Sequence, residues 1–152
     1  MMTAYRYHDF SYGHRVAGHE SKCALLHGHN GRCHFTVRAP ELDSVGRVMD
    51  FSVIKSRLCA WLEENWDHRF LAWEHDPVMR TVDQAMVAGR NKNDDSDRAV
   101  ESIVWVTFNP TAENMANYLL RVIGPKQLTG TGVELIKVTL DETRKCSACA
   151  EL

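Results

Sequence analysis

The stretch Cys23-Ala24-Leu25-Leu26-His27-Gly28-His29 decides how this chain is interpreted. His27 and His29 are two positions apart, and in extended backbone such side chains point to the same face. The residues that follow keep this parity, because the inward side chains stand at odd positions: Cys33, Phe35, Val37 and Ala39. The sequence therefore predicts a strand over about residues 26–39 that brings two imidazoles together, with the Cys23 thiol just upstream.

Two imidazoles on one face of a strand suggest part of a metal site. Catalytic zinc usually has three protein ligands and one open position for water or substrate. His14, at the end of a predicted first strand over Tyr5–His14, is the best candidate for the third ligand. The alternative is that His27 and His29 are two polar positions on a solvated strand face, because such pairs also occur by chance.

The composition is typical of a globular protein with its own core. The chain has 152 residues, of which 44% are hydrophobic and 25% charged, and its formal net charge is −2. This length predicts one domain over residues 1–152, and this charge does not favour a nucleic-acid partner. No apolar run has the length of a membrane span, the first residues lack a signal-peptide pattern, and the five cysteines lack the spacings of a disulfide framework. We therefore expect a cytoplasmic protein with reduced thiols.

Helical and strand patterns follow one another along the rest of the chain. Helices are predicted from Asp50 to about Trp66, from Asp76 to Gly89, and from Thr111 to a stop at Gly124-Pro125. The remaining predicted elements are strands at Ile103–Phe108 and from Val133 to about Leu140, and an exposed, mobile loop at 90–98. Separated strands and helices in this order predict an α+β fold with an antiparallel sheet.

Three further groups suit proton transfer or ligand binding, and each has a plainer alternative. Cys23 is either a small buried side chain or a thiolate favoured by Lys22 and a nearby zinc ion. Asp67-His68 is either a surface turn or a carboxylate that orients an imidazole for proton transfer. Glu142 continues the inward parity of the last strand, so its carboxylate either meets the N–H groups of a ligand or is solvated beyond the strand end.

Six motifs taken together resemble one family, that of 6-pyruvoyl-tetrahydropterin synthase and 6-carboxytetrahydropterin synthase. They follow in the family's order along nearly the whole chain: residues 10–15 (Phe-Ser-Tyr-Gly-His-Arg), 22–30 (Lys-Cys-Ala-Leu-Leu-His-Gly-His-Asn), 48–51 (Val-Met-Asp-Phe), 67–71 (Asp-His-Arg-Phe-Leu), 110–114 (Pro-Thr-Ala-Glu-Asn) and 142–143 (Glu-Thr). The resemblance implies the tunnelling fold, here a four-stranded antiparallel sheet with helices on one face. In that fold, sheets of several subunits join into a β-barrel with active sites at the subunit interfaces. It therefore also implies a homo-oligomer, with a hexamer favoured.

The resemblance also implies roles for particular residues. The histidines matching His14, His27 and His29 bind catalytic zinc in the family. The cysteine matching Cys23 is the general base, and the pair matching Asp67 and His68 completes a proton relay. Glu142 and Thr143 match the pterin-binding motif, and Glu113 is expected as a second polar contact with the substrate. By their charge, Arg15 and Lys22 are expected partners for the triphosphate, with solvated surface positions as the plainer alternative.

The spacing of three residues between Cys23 and His27 resembles the 6-carboxytetrahydropterin synthase branch, which serves 7-deazaguanine (queuosine) biosynthesis. The implied reaction converts the small molecule 7,8-dihydroneopterin triphosphate into 6-carboxy-5,6,7,8-tetrahydropterin, with release of acetaldehyde and triphosphate. The alternatives are 6-pyruvoyl-tetrahydropterin formation and a non-catalytic, zinc-stabilised oligomeric module.

The chain departs from the family pattern at four places that touch no expected ligand. Tyr12-Gly13 replaces small residues before His14, Gly31 stands where an aromatic residue is common, and Ala72 replaces a frequent asparagine after Leu71. Residues 76–102 are longer than in compact members and predict an insertion. Cys146 and Cys149 form a C-x-x-C pair without a second pair to complete a zinc site, so no role is assigned to them.

Overall fold

A computed structural model describes residues 2–152. The strands are β1 (Thr3–His14), β2 (His27–Arg38), β3 (Arg69–Trp73), β4 (Ile103–Val106), β5 (Glu134–Asp141) and β6 (Ser147–Glu151). The helices are α1 (Phe51–Ile54), α2 (Ala60–Asn65), α3 (Pro77–Gly89), α4 (Ser96–Ala99), α5 (Ala112–Tyr118) and α6 (Gly124–Gln127). Within the described residues, no helix is both long enough and apolar enough to cross a bilayer.

The strands form one mixed sheet of six, in the order β4-β3-β1-β2-β5-β6. The pairs β1–β2, β2–β5 and β5–β6 are antiparallel, whereas β3 pairs with β1 and with β4 in parallel. The prediction of four antiparallel strands was therefore wrong. The sequence pattern missed β3 and β6, which have five residues each and, unlike the four-residue β4, contain no β-branched side chain to mark a short strand.

One face of the sheet carries the hydrophobic core. In β1 and β2 the buried side chains alternate with exposed ones, as they must when successive residues point to opposite faces. The buried members on these two strands are Ala4, Phe10, Tyr12, His14, Cys33, Phe35 and Val37. Tyr5 and Tyr7 lie on the opposite, exposed face. The helices pack on the buried face of the sheet. Their inward side chains include four that are fully buried: Leu58, Leu62, Met115 and Leu119.

The two long helical regions are continuous across the boundaries of their parts. A π-helical turn at Lys55–Cys59 joins α1 to α2, and another at Leu119–Ile123 joins α5 to α6. The predicted stop at Gly124-Pro125 was therefore wrong: the helical backbone passes through the π-helical turn into α6, and Pro125 lies just after that turn, where the regular hydrogen-bond ladder is already interrupted. Gly124 is required by packing, since a Cβ atom there would lie 2.5 Å from Leu135 Cδ2.

The segment after β3 forms the helix predicted from Asp76 to Gly89, which the structure places at Pro77–Gly89. Asp76 caps α3 by accepting a hydrogen bond from the Val78 N–H at 3.0 Å, as its position before Pro77 predicts. Residues 90–98 are exposed for most of their length, but α4 begins within them at Ser96, where a run without apolar residues gave no helical signal.

The long β1–β2 hairpin positions the histidines. His14 lies opposite His27, and Tyr12 lies opposite His29, on adjacent antiparallel strands. Cross-strand neighbours on one face lie close enough for their side chains to touch. This register therefore places His14, the last residue of β1, next to both His27 and His29 at the start of β2.

Candidate metal and catalytic site

Three imidazoles converge at the end of the β1–β2 hairpin. One ligand nitrogen from each of His14, His27 and His29 can be chosen such that all three lie within 4.8 Å of one another. The Nε2 atoms of His14 and His29 are 3.1 Å apart. The ring of His14 is buried, while His27 and His29 are partly exposed.

Backbone carbonyls hold two of these rings through their Nδ1 atoms. His14 Nδ1 lies 2.6 Å from the Pro110 carbonyl oxygen, and His27 Nδ1 lies 2.7 Å from the Leu25 carbonyl oxygen. A carbonyl only accepts, so each Nδ1 must carry the proton and donate it. This leaves Nε2 of both neutral rings without a proton, with its lone pair available to a metal.

The surroundings keep His14 uncharged at neutral pH. Burial lowers the pKa of His14 from its ordinary 6.5 to about 4, and the neighbouring His27 and His29 add to this effect. Burial also lowers the pKa of His29. Glu142 Oε1 lies 3.5 Å from His14 Nε2, but because His14 is neutral this contact is not an ion pair at neutral pH.

The donor set fits a divalent cation such as zinc. Tetrahedral zinc with Zn–N bonds of about 2.0–2.1 Å separates its nitrogen ligands by about 3.3 Å, close to the 3.1 Å between the His14 and His29 atoms. Three imidazoles, two of them oriented by carbonyl groups, match the usual surroundings of a catalytic zinc ion.

A cavity of about 220 Å³ adjoins the His14 ring, and it brings together three of the other predicted residues. Cys23, Glu113 and Glu142 line it. Cys23 lies in a 3₁₀ turn, Lys22–Ala24, between β1 and β2, and its side chain is partly exposed. Glu142 directly follows β5 and is 21% exposed, so the carboxylate is available to a ligand in the cavity.

Asp67 and His68 lie in a cleft that they share with Ser11, Asn30 and Thr143, and His68 also lines a cavity that His29 borders. Asp67 accepts a hydrogen bond from the Ser11 N–H at 2.8 Å and lies 2.7 Å from His68 Nδ1. Burial raises the pKa of Asp67, but these two hydrogen bonds outweigh burial and the net pKa is lower than usual. The His68 ring is 81% exposed and its backbone φ is 56°, which is uncommon for a residue other than glycine. The Asp–His pair is thus assembled and oriented, but it borders a different cavity from Cys23.

The other predicted substrate contacts differ in solvent exposure: Lys22 and Thr143 are exposed, whereas Arg15 is not. Lys22 is exposed beside Cys23, and Thr143 is exposed in the turn after β5, where its hydroxyl accepts from the Cys146 N–H at 3.2 Å. Arg15 is mostly buried, and its guanidinium is bound to Asp76 at 2.7 Å.

Sequence patterns gave no indication of several groups around the histidines. The Pro110 carbonyl and Cys146 were missed, because a backbone oxygen has no sequence signature and Cys146 lies in a turn that folds back over the cavity. Tyr12 packs edge-on against His14, with ring centroids 5.3 Å apart, and its buried hydroxyl has no hydrogen-bond partner among residues 2–152. Burial raises the pKa of Tyr12, and the nearby Glu142 carboxylate adds to this effect.

A mixed sheet with helices on one face and a three-histidine cluster beside a cysteine-lined cavity defines the class: an α+β protein with a candidate catalytic metal centre. Comparison with known proteins gives the family. The family described as 6-pyruvoyl tetrahydropterin synthase matches residues 3–151, and the chain belongs to it. The family membership predicted from the six motifs is confirmed, and with it the assignment to a family of enzymes.

Individual relatives agree with this assignment. The chain is 32% identical over 146 residues to the 6-carboxy-5,6,7,8-tetrahydropterin synthase of Rickettsia felis, covering 96% of this chain and 97% of the relative. The structure is similar to that of an uncharacterised protein from Wolinella succinogenes, with a TM-score of 0.83, 27% identity and coverage of 99% and 97%. It also shares its fold with the 6-pyruvoyl tetrahydropterin synthase of Caenorhabditis elegans, with a TM-score of 0.66, 21% identity and coverage of 99% and 95%.

Proposed function

We propose that this protein is a zinc-dependent 6-carboxy-5,6,7,8-tetrahydropterin synthase. The reaction consumes 7,8-dihydroneopterin triphosphate and water and releases acetaldehyde and triphosphate. The observation that carries the proposal is the arrangement of His14, His27 and His29 beside a cavity lined by both Cys23 and Glu142. The similarity over 96% of the chain to the Rickettsia felis enzyme supports this branch of the family.

The three histidines are proposed to hold zinc through ring nitrogens, with Nε2 used by His14 and His27, whose Nδ1 atoms donate to carbonyl groups. When bound, zinc supplies Lewis-acid polarisation of the substrate's side-chain hydroxyls, which acidifies the adjoining C–H bonds. The lowered pKa of His14 supports this role, because a proton does not compete for the ring at neutral pH.

Cys23 and Glu142 divide the work on the substrate in this proposal. The Cys23 thiolate removes a proton from a side-chain carbon, and proton return at another carbon isomerises the side chain before elimination and carbon–carbon cleavage. Glu142 accepts hydrogen bonds from the N–H groups of the pterin ring, which fixes the reacting carbons relative to the thiol. Thr143 and Glu113 are proposed as further ring contacts, and Lys22 as a contact for the triphosphate.

The proton relay is proposed to form between subunits. Asp67 and His68 line a separate cleft from Cys23, so the pair of one chain would serve the thiol of another. The cavity beside His14, about 220 Å³, is also smaller than the roughly 300–1,000 Å³ of complete small-molecule sites. Both observations favour a homo-oligomer, which the family resemblance suggests to be a hexamer acting in the cytoplasm.

The spacing of Cys23 and His27 favours a role in 7-deazaguanine (queuosine) biosynthesis. Product analysis by mass spectrometry, with zinc-loaded protein and 7,8-dihydroneopterin triphosphate, tests the activity. The proposal expects 6-carboxytetrahydropterin and one acetaldehyde per triphosphate released. Formation of 6-pyruvoyl-tetrahydropterin without acetaldehyde would transfer the chain to the other branch, and absence of any turnover would favour a non-catalytic zinc-stabilised module.

A further inference from the structure

A mostly buried ion pair lies behind the turn that carries Cys23. Arg15 Nη1 lies 2.7 Å from Asp76 Oδ1 and 2.9 Å from Asp76 Oδ2, and the two side chains are 12% and 2% exposed. Because both side chains are largely shielded from solvent, removing either one would leave the other charge buried without compensation. The two residues therefore depend on each other. The pair joins residue 15, directly after β1, to a residue 61 positions later in the chain.

The same arginine also holds the backbone next to Cys23. Arg15 Nε donates to the Ala24 carbonyl oxygen at 2.9 Å, and the Val16 N–H donates to the Cys23 carbonyl oxygen at 2.8 Å. Two successive carbonyl groups of the turn are therefore bound to the segment that directly follows the metal ligand His14. Together these bonds hold the backbone at Cys23 and Ala24 against the segment that follows His14.

Asp76 has a second role, which extends the connection to α3. Its Oδ1 atom also accepts from the Val78 N–H at 3.0 Å, so the carboxylate is the N-terminal cap of that helix. A carboxylate that caps a helix and binds a guanidinium is restrained on both sides. The start of the segment predicted as an insertion, residues 76–102, is thus bonded to the turn of Cys23 through one side chain.

We infer that Arg15 and Asp76 are positioning residues for Cys23, and that Arg15 is not a contact for the triphosphate. This inference rests on the proposed function of Cys23 and adds to it the part of the structure that holds the thiol in place. The guanidinium donates from Nε and Nη1 to protein oxygens, its side chain is only 12% exposed, and Arg15 is not among the residues that line the Cys23 cavity.

Arg15→Lys separates the two interpretations, because lysine keeps the charge beside Asp76 but has one nitrogen in place of the planar fork that also reaches Ala24. We expect kcat to fall about 10- to 100-fold with KM within about threefold of wild type, as for a displaced catalytic group. Bound zinc and affinity for inorganic triphosphate should not change. Alkylation of Cys23 by iodoacetamide, followed by peptide mass spectrometry, should become about tenfold faster because the turn opens more often.

Arg80→Lys is the matched control, since Arg80 is an exposed arginine on α3 that stacks over Trp105 and does not touch the turn. It should retain wild-type kcat and alkylation rate. A rise in KM and weaker triphosphate binding in Arg15→Lys, with kcat kept, would show a triphosphate contact and overturn the inference. Wild-type alkylation and kcat in that variant would also overturn it.

Asp76→Asn provides an independent route, because asparagine still caps α3 but is neutral and keeps only one of the two oxygens that bind the guanidinium. Combined with Arg15→Lys, its effect on kcat should be no larger than that of the stronger single variant, since both break one unit. Fully additive losses would contradict the inference.

Hydrogen exchange in the wild-type protein decides the matter if the variants do not fold. Peptides covering 15–26 and 73–80 should open at one common rate, and unrelated rates would refute the coupling. Alkylation and exchange need no substrate, so wild-type protein that makes no product would refute the proposed function while leaving this test intact.

Discussion

Acid should destabilise the metal-free protein chiefly through His14. The pKa of this ring is about 4 in the folded chain, against an ordinary value of 6.5, and the side chain is 1% exposed, so solvent does not weaken the effect. Because the folded-state pKa is the lower one, the unfolded chain takes up the proton first as pH falls. The stability contributed by neutral His14 is therefore complete above pH 6.5 and is lost between pH 6.5 and about 4.

The size of this loss follows from the same two pKa values. Each pKa unit is worth about 1.4 kcal/mol, so the contribution of His14 to the free energy of unfolding is about 3 kcal/mol at neutral pH. His14→Asn is the informative variant, because its side-chain amide can take the place of Nδ1 and donate to the Pro110 carbonyl, but it does not titrate.

Urea unfolding of chelator-treated protein at several values between pH 7 and pH 4 measures this prediction. The stability difference between wild type and His14→Asn should change by about 3 kcal/mol in favour of the variant as pH falls. His75→Asn, at an exposed histidine, should track the wild type throughout. A difference between His14→Asn and wild type that stays constant with pH would refute the argument that burial keeps this ring neutral.

Three further predictions concern single side chains. Tyr12→Phe should raise the free energy of unfolding by about 1 kcal/mol in urea titrations, because it removes a buried hydroxyl with no partner among residues 2–152; a loss of stability would reveal an interaction of that hydroxyl. Gly124→Ala should destabilise the protein by about 1–3 kcal/mol, because the new methyl group would meet Leu135 Cδ2 at 2.5 Å. Gly89→Ala is the control, since a methyl group there meets open space and should not destabilise the protein. Equal effects of the two variants in thermal unfolding would contradict this. Cys23→Ala should keep bound zinc, measured by elemental analysis, but lose turnover by at least about 100-fold; full activity would exclude the thiol as the base.

The long elements could be predicted from the sequence because their signals are local. Alternation of buried and exposed side chains predicted β1 and β2, and caps at Asp50 and Asp76 predicted the starts of two helices. The convergence of the three histidines followed from strand parity and from the hairpin that pairs His14 with His27. These features depend on residues near one another in the chain or on the adjacent strand.

What the sequence did not predict depends on distant contacts. Strands β3 and β6 contain no β-branched side chain, and they are strands because longer neighbours pair with them. The inward parity of β5 fails at Ile136, because a bulge opposite Thr36 and Val37 turns Leu135 inward. The triphosphate role predicted for Arg15 could not be weighed against its bond to Asp76, because that partner is far away in the sequence.

X-ray absorption spectroscopy of the purified, zinc-loaded protein tests the central claim most directly, because it reports which atoms bind the ion. The account predicts one zinc per chain with three imidazole nitrogens at about 2.0–2.1 Å, no sulfur ligand at about 2.3 Å, and loss of the signal in His27→Ala. Substoichiometric metal, or a sulfur atom in the first shell, would contradict a three-histidine centre with a free Cys23 thiol beside it.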